Sequence, residues 1–291
     1  MSVAQNEELS DTAADTEIQT CEAVLEYNSG DNPFEPEHEP EEIGVLTAAG
    51  RLSGLLWPAL WSPPPAIMRS IVKVQLQYLP ARSGRLHILR YRHDDNINPL
   101  NLVPQDECAC QFALEQIQLF HGWVQTPALR EFLRSAFSLR DLFYGFWKAP
   151  ASLRHHHSWA GGLACHSADV ALRALDIFTE PNPGQCVFRR EEAEVGGIAA
   201  WLHDAGKVLS YTVDGYRTER AQALGHELLG LELLRPAIEK LAQHREDLAD
   251  ALATLLLSRT RYACSSLRLQ AIDEVLRKAD RESAAENRHI G

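Results

Sequence analysis

The chain has 291 residues, 45% of them hydrophobic, enough to bury a sizeable core in one large domain or two small ones. The formal charge of −12 does not describe the folded part. Residues 1–42 hold thirteen Asp or Glu and no Lys or Arg, and the remainder, with 28 basic and 27 acidic residues, is nearly neutral and able to carry a local basic cleft. No run reaches the roughly 20 apolar residues of a membrane span. The N-terminus lacks a basic-then-apolar signal segment, and Cys21, Cys108, Cys110, Cys165, Cys186 and Cys264 show no CxxC spacing, so the expectation is a cytoplasmic protein with reduced cysteines.

Residues 1–44, which include "DNPFEPEHEPEE", read as an acidic disordered tail with no role in any site. Residues 45–149 form an N-terminal accessory region. In it "IVKVQLQYLP" alternates Val72, Val74, Leu76 and Tyr78, and "RLHILRY" follows the turn "ARSG", so residues 71–91 predict a β-hairpin, too little for a sheet domain. From about Ala113 the period turns helical. "TPALREFLRSAF" offers Thr126 as N-cap, Pro127 at the first helical position and Leu129, Phe132, Leu133 and Phe137 as a buried face. "KAPASLR" breaks that pattern, and a boundary near residue 149 leaves residues 150–291 as a helical domain. The expected class is mainly α, a helical bundle behind a mixed region containing one hairpin.

The stretch "HHHSWAGGLACHSADVALRAL", residues 155–175, concentrates four histidines. Three adjacent histidines cannot share one helical face, and Gly161-Gly162 argues for a loop in which His155 and His157 point the same way; a merely polar loop is the alternative. His166 falls on one stripe with Leu163 and Val170 and faces inward. Downstream, "GGIAAWLHDAGKVL" ends an apolar helix in His203-Asp204, a nitrogen and a carboxylate that suit Mn, Fe or Zn. In "LRLQAIDEVLRKADRES", Leu269, Ile272, Leu276 and Ala279 mark a buried stripe that also contains Asp280, a carboxylate in need of a metal, a basic partner or a helix end. Asp273, Glu274, Arg277 and Lys278 read as outward-facing.

The order His166, His203-Asp204, Asp280 resembles the HD phosphohydrolase superfamily, and "APASLRHHHSWAGGLACHSADVAL" with "WLHDAGK" resembles its TraI-type conjugative relaxases, the MobH class, over about residues 148–282. The resemblance implies an HD-domain helical bundle binding one or two divalent ions (Mn, Fe or Mg) through His166, His203, Asp204 and Asp280. His226, in "ALGHELLGLELL", is a further ligand or an ordinary buried histidine. His155, His156 and His157 match the relaxase motif and would line the site, with His157 nearest metal or phosphate. A divalent ion lowers the pKa of bound water and neutralises phosphoryl oxygens, so the implied chemistry is phosphodiester cleavage. In this scheme Asp204 orients the water. Lys207 meets a phosphate oxygen or, alternatively, complements a helix dipole.

Three functions compete. The first is a metal-dependent relaxase, nicking single-stranded or melted transfer-origin DNA on a conjugative element together with relaxosome and coupling proteins. The second is an HD-type 3'-5' exoribonuclease, whose "HH", "GGL", "HD.GK" and "GH.L.G" patterns are matched by "HHSWAGGLACHS", "HDAGK" and "GHELLG", but whose small β domain in front exceeds one hairpin. The third is a DNA-binding scaffold without turnover. No catalytic tyrosine declares itself: Tyr144, Tyr211, Tyr216 and Tyr262 each read as packing residues. Arg130, Arg134, Arg140, Lys148 and Arg154 precede the site and offer a phosphate-tracking surface. Relaxases of this type are longer, and the charged end "ENRHIG" reads as a truncation.

Overall fold

The computed structural model describes residues 17–26, 40–57, 60, 69–81, 84–153, 157–180, 187–212, 215–258, 260 and 265–286. The chain divides into two units, Met1–Asp106 and Glu107–Gly291.

The first unit is a closed barrel of five strands, β1 (Gln19–Glu26), β2 (Glu41–Thr47), β3 (Gly50–Leu56), β4 (Val72–Pro80) and β5 (Leu86–His93), in the order β1-β2-β3-β5-β4. Alternation builds it: Ala23, Leu25, Ile43, Val45, Leu56, Val74, Leu76, Leu86 and Ile88 point inward and form one cluster. β1 pairs with β4 over residues 19–25 and with β2 over residues 24–26, and β3 runs parallel to β5 where Gly54 and Leu55 meet Leu86 and His87. The remaining pairs are antiparallel, including the β4–β5 hairpin expected at residues 71–91. Closure leaves no free sheet edge. This strand order is that of an oligonucleotide/oligosaccharide-binding (OB) barrel. Lys73 is buried on β4, and its ammonium donates to the carbonyls of Asp95 (2.8 Å) and Ile97 (2.9 Å), which satisfies the charge and ties β4 to the turn after β5.

Three expectations are corrected here. Helix accounts for 56% of the structure and strand for 19%, so the class is mixed α and β rather than mainly α. The segment 1–44 is not uniformly a tail, because residues 19–26 supply β1 and Glu41 opens β2. Their acidic side chains face outward, where Glu26 meets Arg51 at 3.2 Å, while Cys21, Ala23 and Leu25 turn towards the core. The division between units falls after Asp106, not near residue 149.

The second unit holds α1 (Gln111–Trp123), α2 (Pro127–Phe137), α3 (Arg140–Gly145), α4 (Gly162–Thr179), α5 (Arg190–Leu202), α6 (Glu219–Leu256) and α7 (Leu269–Glu286). In α2, Pro127 starts the helix and Leu129, Phe132, Leu133 and Phe137 are buried, as the sequence predicts. α5 is buried from Glu192 to Leu202 and is the central helix. Two of its buried residues are glutamates, each fully engaged. Glu194 accepts from the backbone N–H of Gln125 (2.7 Å) and Thr126 (3.1 Å), and Glu192 accepts from the N–H of Arg189 (2.8 Å) and Arg268 (3.0 Å) and from the Arg268 guanidinium. Burial opposes ionisation of Glu192, but the Arg268 hydrogen bonds prevail and hold its carboxyl far below the usual range. α4, the end of α5 with the turn directly after it, and α7 carry the site, and the Glu192 bonds to Arg268 tie the start of α5 to the residue before α7.

Cys110, at the start of α1, is disulfide-bonded to Cys165 in α4, with Cα atoms 5.9 Å apart. This corrects the expectation of reduced cysteines: the absence of CxxC spacing excludes a local motif and says nothing of a bridge across 55 residues. Among the described residues, no helix is long and apolar enough to cross a membrane.

Candidate metal centre

Three helices and one turn bring the predicted residues together. Gly161, with φ of 80°, is the N-cap of α4, and His166 lies on the inward stripe of that helix, 1% exposed. His203 caps the C-terminus of α5, and its Nδ1 donates to the Ala200 carbonyl at 2.8 Å, which leaves Nε2 as the acceptor nitrogen. Asp204, 3% exposed, begins a 3₁₀ turn over Ala205–Leu209. That turn lies against α6 so closely that a Cβ on Gly206 would collide with the carbonyl oxygen of His226, so glycine is required there. Asp280 enters from α7.

His166, His203 and Asp280 each offer a ligand atom, and the three atoms lie within 4.8 Å of one another. His166 Nε2 is 3.1 Å from Asp280 Oδ1 and 3.6 Å from Asp204 Oδ2. His203 Nε2 is 3.3 Å from Asp204 Oδ2 and 3.9 Å from Asp280 Oδ1. Asp204 is also held from outside the triad: Lys207 Nζ donates to Oδ2 at 2.5 Å, and His226 Nε2 stands 3.1 Å from Oδ1. The structure therefore brings His226 to Asp204 rather than to the triad. Lys207 binds Asp204 directly instead of serving only a helix end.

The electrostatics favour a cation. Burial alone would raise the Asp204 pKa, but His203, His226 and Lys207 reverse this and leave the carboxyl well below its usual value. The hydrogen bond from His166 lowers Asp280 despite partial burial. Burial likewise disfavours the His203 imidazolium, yet Asp204 and Asp280 outweigh it and raise its pKa. Two ionised carboxylates thus face the ring nitrogens of His166 and His203, and Lys207 bonds one of them, Asp204. His203 Nε2 is buried and has no well-formed hydrogen bond among the described residues, as expected of a nitrogen kept for a metal.

Other expectations are placed as follows. His157 is buried at 5%, adopts a left-handed backbone (φ 54°), and sets its ring 5.4 Å from that of His166 and 5.0 Å from that of Trp159, so it adjoins the centre without joining the triad. His155, His156, Arg154 and Tyr262 lie outside the described residues. Asp280 is only half-buried, with its side chain 48% exposed. Asp273, expected on the surface, is 6% exposed and accepts from Thr260 Oγ1 (3.0 Å) and Arg277 Nε (2.9 Å), because α7 buries a wider stripe than its apolar residues mark.

The expected phosphate-tracking arginines are largely committed. Arg130 donates to the Val124 carbonyl, Arg134 pairs with Glu131 and Lys148 with Glu107, whereas Arg140 has no carboxylate partner among the described residues. Sequence reasoning missed Ser283, whose Oγ lies 3.1 Å from His166 Nδ1 in a buried pair. Its signal was available, since Ser283 continues the stripe through Leu276 and Asp280. No family model, curated protein or solved structure matches the chain.

Proposed function

We propose that this chain is a divalent-metal-dependent phosphodiesterase acting on a nucleic-acid strand. The observation that carries this reading is the meeting of His166, His203 and Asp280 within 4.8 Å beside an Asp204 held by Lys207 and His226. These residues fit a divalent ion, which when bound supplies Lewis acidity at a phosphoryl oxygen and acidifies water. His203, His226 and Lys207 keep Asp204 ionised, so its carboxylate can accept a hydrogen bond from water and orient it. The Lys207 ammonium, 15% exposed, is the cation available to a non-bridging oxygen. His157, packed against the His166 ring, shapes the wall of the site.

Within this reading the histidine triplet favours a relaxase-type nick in transfer-origin DNA, with relaxosome and coupling proteins as partners. One observation favours the 3'-5' exoribonuclease instead. The objection that a hairpin is too little for a nucleic-acid-binding β domain falls with the closed five-stranded barrel, whose outer face carries Arg90 and Arg92 beside Gln75 and Gln77. Two substrates with manganese separate the two: a supercoiled plasmid bearing the origin, and a linear single-stranded RNA. A nickase relaxes the circle with one cut, whereas an exoribonuclease shortens RNA stepwise from the 3' end and leaves circles intact. His203→Ala and Asp280→Ala proteins should lose metal and whichever activity the native protein shows. Full metal content by elemental analysis in both variants would refute the centre, and bound metal without cleavage of any phosphodiester would leave the non-catalytic scaffold.

A further inference from the structure

A cleft of about 690 Å³ in the helical unit shares one wall residue with the metal centre. One side is α3 and the turn after it, with Arg140, Tyr144 and Lys148; the other is Lys207, Val208 and Tyr211 from the 3₁₀ turn and its exit. The two sides close because residue 145 is glycine, since any Cβ there would overlap the Val208 side chain. Lys207 belongs both to this wall and, through its 2.5 Å bond to Asp204, to the centre, so it links the two sites.

The lining has a definite chemistry. Two half-buried phenol rings offer flat apolar surface. The Arg140 guanidinium lies 5.8 Å from the Tyr144 ring centroid and has no carboxylate partner among the described residues, while Lys148 stands at the rim in a 2.8 Å pair with Glu107. Asp141 adds an acceptor. Flat aromatic surface, a guanidinium without a carboxylate partner among the described residues and a lysine bonded to Asp204 beside the metal donors match a planar base joined to phosphates. A purely apolar ligand would leave the cations unsatisfied, and a simple anion would leave the rings unused.

We propose that this cleft holds one nucleotide unit of a single strand, with its base against Tyr144 and Tyr211, its outer phosphate at Arg140, and the neighbouring phosphate led by Lys207 to the His166, His203 and Asp280 donors. The proposal rests on the phosphodiesterase reading of that centre and names how its substrate is seated. It also gives Tyr144 and Tyr211 a binding role in place of the packing role expected from sequence.

The test uses the full chain with manganese and two fluorescein-labelled DNA hexamers, one carrying bases and one with an abasic backbone, followed by fluorescence anisotropy. Tyr144→Ala and Tyr211→Ala should each weaken binding of the base-bearing strand about tenfold and leave the abasic strand unchanged, while Tyr→Phe at either position keeps native affinity. Arg140→Ala should weaken both strands and lower the slope of log affinity against log salt by about 1. Native manganese content in each variant shows that the centre survives. Equal binding of the two hexamers by the native protein, or native affinity in both Tyr→Ala variants, overturns the proposal. Hydrolysis of bis(4-nitrophenyl) phosphate by the native protein reports on the centre separately. Base-dependent binding without hydrolysis supports the cleft and overturns the phosphodiesterase reading, and hydrolysis with base-independent binding does the reverse.

Discussion

Ser283→Ala tests the centre at a residue that donates nothing to a metal. Ser283 Oγ lies 3.1 Å from His166 Nδ1, and both residues are at most 1% exposed. When His166 ligates through Nε2, its Nδ1 carries the proton and donates to Ser283, which fixes the tautomer and the ring plane. Removing the hydroxyl leaves a buried N–H without that acceptor, a cost of about 1–3 kcal/mol. Imposed on the ligating tautomer, this corresponds to a loss of about 10–100-fold in metal affinity, the usual consequence of losing such an outer partner. Competition titration of manganese against a fluorescent chelator reads the affinity, and urea unfolding of the metal-free protein reads the stability separately. Asp280→Ala, which removes one of three converging donors, should lose more affinity than Ser283→Ala. Native manganese affinity in a folded Ser283→Ala protein would refute the inference that His166 ligates through Nε2.

Metal affinity should rise with pH and level off only above the raised pKa of His203, because the proton on its Nε2 competes with the ion; titration from pH 5 to 9 checks this, and a flat profile across the ordinary histidine value of 6.5 counts against His203 as ligand. In the metal-free protein the same shift stabilises below pH 6.5 and is lost as pH rises through the folded pKa, whereas the depressed Asp204 stabilises above pH 3.8 and is lost as pH falls through its folded pKa. Glu192→Ala should destabilise the helical unit by about 3 kcal/mol: two backbone N–H groups lose their acceptor, and the ion pairs add little because Arg189 and Arg268 are partly exposed. Chemical denaturation followed at the helical signal reads this, and Glu192→Gln, which keeps an acceptor, should lose less. Deleting residues 1–26 removes β1 from between β4 and β2 and should abolish the barrel's strand signal in circular dichroism while sparing manganese binding; native strand content after truncation would contradict the closed barrel.

The local elements and the candidate ligand residues were legible because they follow from short-range spacing. His166 between Leu163 and Val170, His203-Asp204 at the end of an apolar helix, Asp280 beyond Leu276, and Pro127 opening α2 are all periodic signals within one element. The β4–β5 hairpin was legible for the same reason. β1 was not: its inward residues Cys21, Ala23 and Leu25 are small or few, and the surrounding acidic composition outweighed their alternation. A strand of that kind is stable only with β2 and β4 on either side, and those pairings are non-local. Likewise, the choice of His226 as partner of Asp204, the bridge from Cys110 to Cys165, the burial of Asp273 and the cleft between α3 and the 3₁₀ turn depend on which faces meet. Sequence periodicity tells which side of an element is buried. Only the packed chain decides what that side is buried against, and for a charged or ligating group that neighbour sets both its ionisation and its use.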